Sequence, residues 1–294
     1  ALASGPSAAP SAAASEAPAV EASVTAPSYA PDGALFARAV DASQRVMVRR
    51  PGAAWAPFLA LFHRHWPDCP FRVVVGSNHV PCAEPGVGSV CVGDDVDWSR
   101  GVRAMVERVE TPAVLVVLED FLLRRRVDTA EVLARVEDFF RLDAAYLRMR
   151  PFPPPDVRLA RFPDVGECEP GAPYRASMQA ALWRREDLLA LLRDGENPWE
   201  FEVYGARRSD SFERGFYSTH TDVLDYYAAV TMGKWIPYGV ALCRENGVAV
   251  DLSARPMMSP EEAMRRNVSR VTNEAFGLVP WKARERMLRW FRAT

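Results

Sequence analysis

The chain has 294 residues, 49% of them hydrophobic and 25% charged, with a formal net charge of -2, so a sizeable core is within reach as one large domain or two small ones. The near-neutral balance gives no electrostatic case for nucleic acid. No apolar run nears the roughly 20 residues that span a bilayer, and the first segment lacks the basic start and apolar middle of a secretory leader. A soluble cytoplasmic protein is the default expectation. Lysine occurs only at Lys234 and Lys282, so the basic charge is nearly all arginine, which reads first as compositional bias. Five scattered cysteines without a C-x-x-C pair argue against structural zinc and a disulfide framework and for buried reduced thiols.

Residues 1 to 33 are Ala, Pro and Ser with a few acids, and the first basic residue is Arg38. Such a segment has too little apolar bulk to offset its ordering entropy, which predicts a disordered tail before a folded domain over 34–294. A helix is expected over Trp55–Trp66, then a strand over Phe71–Val75 closed by Gly76-Ser77-Asn78. A short strand at Ser89–Val92, an acidic turn, a helix over Arg100–Val109 capped by Ser99, and a strand at Val114–Leu118 follow. A helix at Thr129–Phe140 and a strand at Ala144–Met149 complete the series. This βαβ alternation predicts an α/β fold: a mostly parallel central sheet with helices on both faces. After the prolines of 151–155 the elements become shorter, with many aromatics and arginines, and are expected to build on the same sheet.

Two segments carry candidate chemistry. Val114–Leu118 reads as a strand buried on both faces, ending in Glu119 and Asp120, and open α/β sheets bind ligands at the carboxyl ends of their strands. Oxygen ligands there suit Mg²⁺ or Mn²⁺ bridging a diphosphate. The alternative is that the acids cap the next element or pair with the arginines at 124–126. In the second segment a strand over Ser177–Trp183, a helix over Arg184–Arg193 and its terminator Gly195 lead to a helix opened by Pro198-Trp199-Glu200-Phe201-Glu202. A glutamate at a helix start beside an indole suits proton acceptance from a sugar hydroxyl. The alternative is that Trp199 and Phe201 are core and both glutamates solvated.

The order of these elements resembles that of GT-A-type (Rossmann-like) glycosyltransferases. The phrases HRHWPDCPF, VVVGSN, DWS, VLEDF, SMQAALWRRE, ENPWEFE and GKW are similar to those of bacterial glycosyltransferases encoded with surface-polysaccharide genes, over roughly residues 45 to 255. The resemblance implies transfer of a sugar from a nucleotide-sugar donor to a saccharide or lipid-linked acceptor. It implies that Glu119 and Asp120 meet the metal, Mg or Mn, and the diphosphate, and that Asp97, Trp98 and Ser99 meet the nucleotide. Gln179, Trp183 and Trp199 fall on the acceptor side, and Glu200 or Glu202 at the position of the catalytic base, with Glu200 favoured for lying nearer the helix start. One departure is Phe121, where a DxD pattern would place an acid. His220 and Lys234 are weaker candidates for a diphosphate contact. The segment Trp281–Arg292, with aromatics interleaved with arginines, can either lie on an anionic membrane surface or dock on the core. A metal-dependent sugar-phosphate transferase and a non-catalytic saccharide-binding protein are the rival functions.

Overall fold

A computed structural model describes residues 43–48, 54–94, 97–277, 279, 281–283 and 286, with side chains described outside 43–48 and 269–277. The tail expected at residues 1–33 and most of the segment Trp281–Arg292 lie outside the described residues.

The strands are β1 (Ser43–Val48), β2 (Arg72–Ser77), β3 (Val87–Cys91), β4 (Ala113–Leu118), β5 (Phe121–Leu123), β6 (Tyr146–Arg148), β7 (Val157–Leu159), β8 (Phe162–Glu167), β9 (Ala181–Arg184), β10 (Phe216–Thr219), β11 (Tyr226–Ala228), β12 (Val230–Thr231) and β13 (Lys234–Trp235). Nine of them form one sheet in the order β3-β2-β1-β4-β9-β6-β10-β8-β7. The first four are mutually parallel, and seven of the nine described strands run one way, with β9 and β8 against them. The fold is therefore α/β with a mostly parallel, mixed sheet, as the alternation of elements predicts.

Helices cover both faces. They are α1 (Trp55–His65), α2 (Trp98–Glu107), α3 (Thr129–Arg141), α4 (Arg185–Leu191), a composite α5 over residues 198–211, α6 (Pro237–Glu245) and α7 (Pro260–Gly277). Strand side chains alternate between faces. Accordingly Leu115 and Val117 of β4 join the core under α1, α3 and α6, built on Phe58, Phe62, Val132, Val136 and Leu242. Val114 and Val116 join the other core, under α2, α4 and α5, with Val102, Met105, Leu188 and Phe201. The β4 residues from Ala113 to Val117 are buried because both sides are roofed. The roof lies close: a Cβ on Gly76 of β2 would come within 2.2 Å of the Met105 sulfur of α2, so a larger residue there would require the Met105 side chain to move.

Two boundaries differ from expectation for visible reasons. Helix α2 begins at Trp98 with Asp97 as its cap, the carboxylate accepting from the Arg100 amide at 2.9 Å, so Ser99 is the second helical residue. The strand expected from Ser177 begins only at Ala181. The Met178 amide donates to the Glu202 carboxylate at 2.9 Å and the Ala180 amide to the Tyr226 hydroxyl at 3.3 Å, which removes two donors a strand ladder would need. The cysteines are free, with Cys168 and Cys243 buried but Cys91 exposed, contrary to the expectation of uniformly buried thiols. Among the described residues no helix is long and apolar enough to cross a membrane.

Candidate functional site

The carboxyl ends of the parallel strands gather the acidic pair. Glu119 and Asp120, both half-buried, follow Leu118 at the end of β4, and the Asp120 carbonyl accepts from the Ala229 amide at 2.8 Å. The chain then turns away into β5, which pairs antiparallel with β11. Phe121, standing where a DxD pattern carries an acid, is a core ring stacked on Tyr226 with centroids 4.3 Å apart. Its apolar character serves that stack. Burial pushes the Asp120 carboxyl up to about 6, opposed by its own backbone amide and by the charge of Arg255.

Among the described residues no group of three or more His, Cys, Asp or Glu side chains gathers to hold a metal ion. Two adjacent carboxylates still fit a divalent ion whose other positions are filled by substrate phosphates and water. The weaker phosphate candidates are otherwise engaged. The Lys234 ammonium lies 2.6 Å from Glu262, and burial lowers the pKa of His220, keeping its ring neutral near pH 7.

The nucleotide-side residues are turned inward. The Asp97 carboxylate caps α2 and lies 3.4 Å from the Arg100 guanidinium. Trp98 is buried, its ring 5.5 Å from that of Phe201, and Ser99 is fully buried, its hydroxyl donating to the Glu196 carbonyl at 2.9 Å. Trp98 and Ser99 thus fasten α2 to the loop before α5 and have no surface to offer a base or ribose. Trp183, expected on the acceptor side, is likewise core: it has no exposed area and sits among Tyr146, Phe201 and Phe216. Its place on β9, between two neighbouring strands, leaves it no route to a ligand.

The remaining candidates lie on α5 and the segment before β9. Helix α5 opens as an α-turn (Pro198–Glu200), widens into a π-helical turn (Phe201–Gly205), and closes through Ala206–Arg208 and Ser209–Ser211. Single π-turns inside α-helices are frequent at functional sites. At the start Asn197 and Glu200 form a capping box: the Asn197 side chain accepts from the Trp199 and Glu200 amides at 3.0 Å, and Glu200 accepts from the Asn197 amide at 2.9 Å. The Glu200 carboxylate is committed to that box, while Trp199 stands 67% exposed.

Glu202, in the π-turn, points elsewhere. It is half-buried, receives the Met178 amide and lines a cavity of about 290 Å³ with Tyr174, Val203 and Arg207. Burial raises its carboxyl above the ordinary range against the pull of the Met178 amide and Arg148. A carboxylate so raised is better matched to taking a proton near neutral pH.

A run of contacts ties these groups together. The Asp120 carbonyl holds Ala229, Phe121 stacks on Tyr226, and the Tyr226 hydroxyl donates to the Gln179 side-chain oxygen. Gln179 adjoins Met178, whose amide holds Glu202. Arg150 spans the same ground, donating to the Tyr226 carbonyl at 2.7 Å with its guanidinium 5.1 Å from the ring. The backbone of Asp120 is thus linked through Phe121 and Tyr226 to the Gln179 side chain, which adjoins the residue that holds Glu202. Sequence reasoning missed Tyr226 and Arg150, because neither sits in a motif and the β5–β11 pairing that recruits them is not periodic.

No protein-family model and no curated protein matches the chain. Solved structures are similar at low identity. One is a 1–349 fragment of S. aureus TarS, 10% identical over 63% of this chain and 59% of that one, with a TM-score of 0.41. Another is a cytidylyltransferase from Leptospira borgpetersenii, 15% identical over 58% and 73%, TM-score 0.39. A third is the apo-form glycosyltransferase GlyE of Streptococcus pneumoniae, 12% identical over 85% and 63%, TM-score 0.34. This chain thus spans about three fifths of the TarS fragment, and likeness at these scores is silent about substrate.

Proposed function

We propose that the protein is a glycosyltransferase that moves a sugar from a nucleotide-sugar donor to a saccharide or lipid-linked acceptor, in cell-surface polysaccharide assembly. The observation that supports this reading is the run of contacts from the Asp120 backbone through Phe121 and Tyr226 to Gln179, beside the residue that holds Glu202, together with the GT-A-like order of sequence motifs. Glu202, rather than Glu200, is the residue suited to accept the proton of the acceptor hydroxyl. As that oxygen bonds to the anomeric carbon, the bond from carbon to the donor phosphate breaks and its electron pair leaves with the nucleoside diphosphate. Exposed Trp199 and the Gln179 amide are the acceptor-side groups. A Mg²⁺ or Mn²⁺ at Glu119 and Asp120, when bound, would neutralise charge on the leaving diphosphate.

The test is a thermal-shift screen of nucleotides and nucleotide sugars with and without Mn²⁺, followed by product analysis. A true donor at 100 times its dissociation constant adds roughly 2.7 kcal/mol of stability. A saturable shift with one nucleotide sugar and a product that carries no phosphorus beyond that of its acceptor are expected. Absence of any shift across the screen overturns the reading, and a product that gains phosphorus from the donor replaces it with sugar-phosphate transfer.

A further inference from the structure

Beside the Glu202 cavity lies a larger one of about 500 Å³, sharing Ala172 and Pro173 with it. Two buried arginines line it, Arg148 at the end of β6 and Arg175, exposed by only 1% and 3%. A buried guanidinium is costly unless an opposite charge or a full set of acceptors compensates it. Arg148 has neither. Its Nε donates to the Ser218 hydroxyl at 3.3 Å, its Nη1 to the Phe152 and Tyr174 carbonyls at 3.3 and 3.2 Å, and its Nη2 to the Cys168 thiol at 3.4 Å. These contacts are long for charge-assisted bonds, one acceptor is a weak sulfur, and none is ionised. Burial holds that thiol above its usual range, so it stays neutral.

Arg175 spends Nε on the Cys168 carbonyl at 2.9 Å and Nη1 on Ser209, while its Nη2 has no acceptor among the described residues. Its nearest carboxylate, Asp210, is 3.9 Å away. The acids on the cavity wall are engaged with other groups: Glu169 pairs with Lys282 at 2.6 Å, and Asp156 accepts from the Glu169 amide at 2.9 Å. Trp281, also on the wall, has a buried indole N–H without an acceptor among the described residues.

From these spare donors and two buried guanidiniums without a close carboxylate partner, Asp210 at 3.9 Å and the Phe216 ring being the nearest compensation for Arg175, we infer that this cavity is an oxyanion site, taking a phosphoryl or carboxylate group carried by the acceptor. Arginine's fork presents paired donors to either group. The assignment of the anion to the acceptor rests on the glycosyltransferase reading, since the cavity adjoins the one that Glu202 lines.

The test titrates the full chain, at fixed ionic strength, with glycerol 3-phosphate and with glucuronate, using glycerol and glucose as neutral partners. Saturable binding of one anion and not of its neutral partner is expected, and which anion binds separates phosphoryl from carboxylate. Arg175→Gln should weaken it by at least about tenfold. Arg148→Lys, which keeps the charge but loses the fork, should weaken it as well, and if that variant fails to fold Arg175→Gln decides alone. Equal binding of charged and neutral partners, no saturable binding, or binding unaltered in a folded Arg175→Gln variant overturns the inference. Nucleotide-sugar binding by the wild-type protein is read separately: its retention without anion binding refutes only the anion site, and its loss with anion binding kept refutes only the donor reading.

Discussion

The two halves of the sheet are built from different material. Strands β2 and β4 are valine-rich and, in the case of β4, buried on both faces by aliphatic contacts. Across β9 the other half buries polar groups instead: Arg148, Arg175, Ser177, Ser209, Ser218 and Thr219 are nearly inaccessible, and Tyr146, bonded to Ser177 at 3.0 Å, has its phenol pushed up to about 12 by burial. Buried polar groups cost stability unless satisfied. The first half is therefore a frame, and the second is where stability is given up for specific arrangement. The acids of β4 stand at the seam.

The contrast is sharpest at Glu202, which belongs to the polar half. Glu202→Gln should lower turnover by roughly 10²–10⁴-fold with donor affinity nearly unchanged, as steady-state kinetics beside donor titration will read. In the wild type the acid limb of the turnover profile should lie above the ordinary glutamate value of 4.5, since burial raises this carboxyl and only its ionised form accepts a proton. Normal turnover in Glu202→Gln would break the comparison at its centre.

A change in the frame should act on stability alone. Leu115→Ala removes a fully buried side chain from the central strand and should cost about 2–5 kcal/mol in denaturant unfolding, leaving the pH profile of the folded protein where it was. A displaced profile would mean that the frame and the site are not separable.

At the seam the sign reverses. Burial moves the Asp120 carboxyl from the ordinary 3.8 to about 6, so the folded state holds the proton longer than the unfolded chain. Stability therefore falls as pH rises through that window and stays lower above it. Asp120→Asn should stabilise the protein by up to about 3 kcal/mol at neutral pH and by little near pH 4, while abolishing any Mn²⁺-dependent donor binding. Unfolding curves at both pH values decide this, and a variant less stable at neutral pH would remove Asp120 from the strained class.

The frame was legible in the chain because its marks are local. The unbroken apolar run of β4, buried on both faces, and the alternation of strand and helix segments can be read without knowing any distant partner. The candidate site leaves a mark in the chain only where acids stand beside apolar residues, as at Asp120 and Glu202. Trp183 was placed on the acceptor side by the resemblance alone, and its burial is visible only once β9 is seen between β4 and β6. Trp98 and Ser99 misled similarly, since their partners Phe201 and Glu196 lie about 100 residues away. The Arg148 and Arg175 cavity left no mark, because its loops come together only when β6, β8 and β10 pair.

The smallest expected effect is also the most discriminating between neighbours. Glu200 stands nearer the start of α5 than Glu202 does, and position alone favours it as the base. Its carboxylate, however, accepts from the Asn197 amide at 2.9 Å while the Asn197 side chain accepts from Glu200 in return. Glutamine serves that third position of a capping box nearly as well as glutamate, so Glu200→Gln should change neither turnover nor stability measurably. Glu200→Ala leaves the Asn197 amide without its partner and should cost about 0.5–1 kcal/mol, again with turnover intact. Kinetics and unfolding on the two variants separate a cap from a base: a large loss of turnover in Glu200→Gln would return the proton to Glu200 and make the raised carboxyl at Glu202 a structural one.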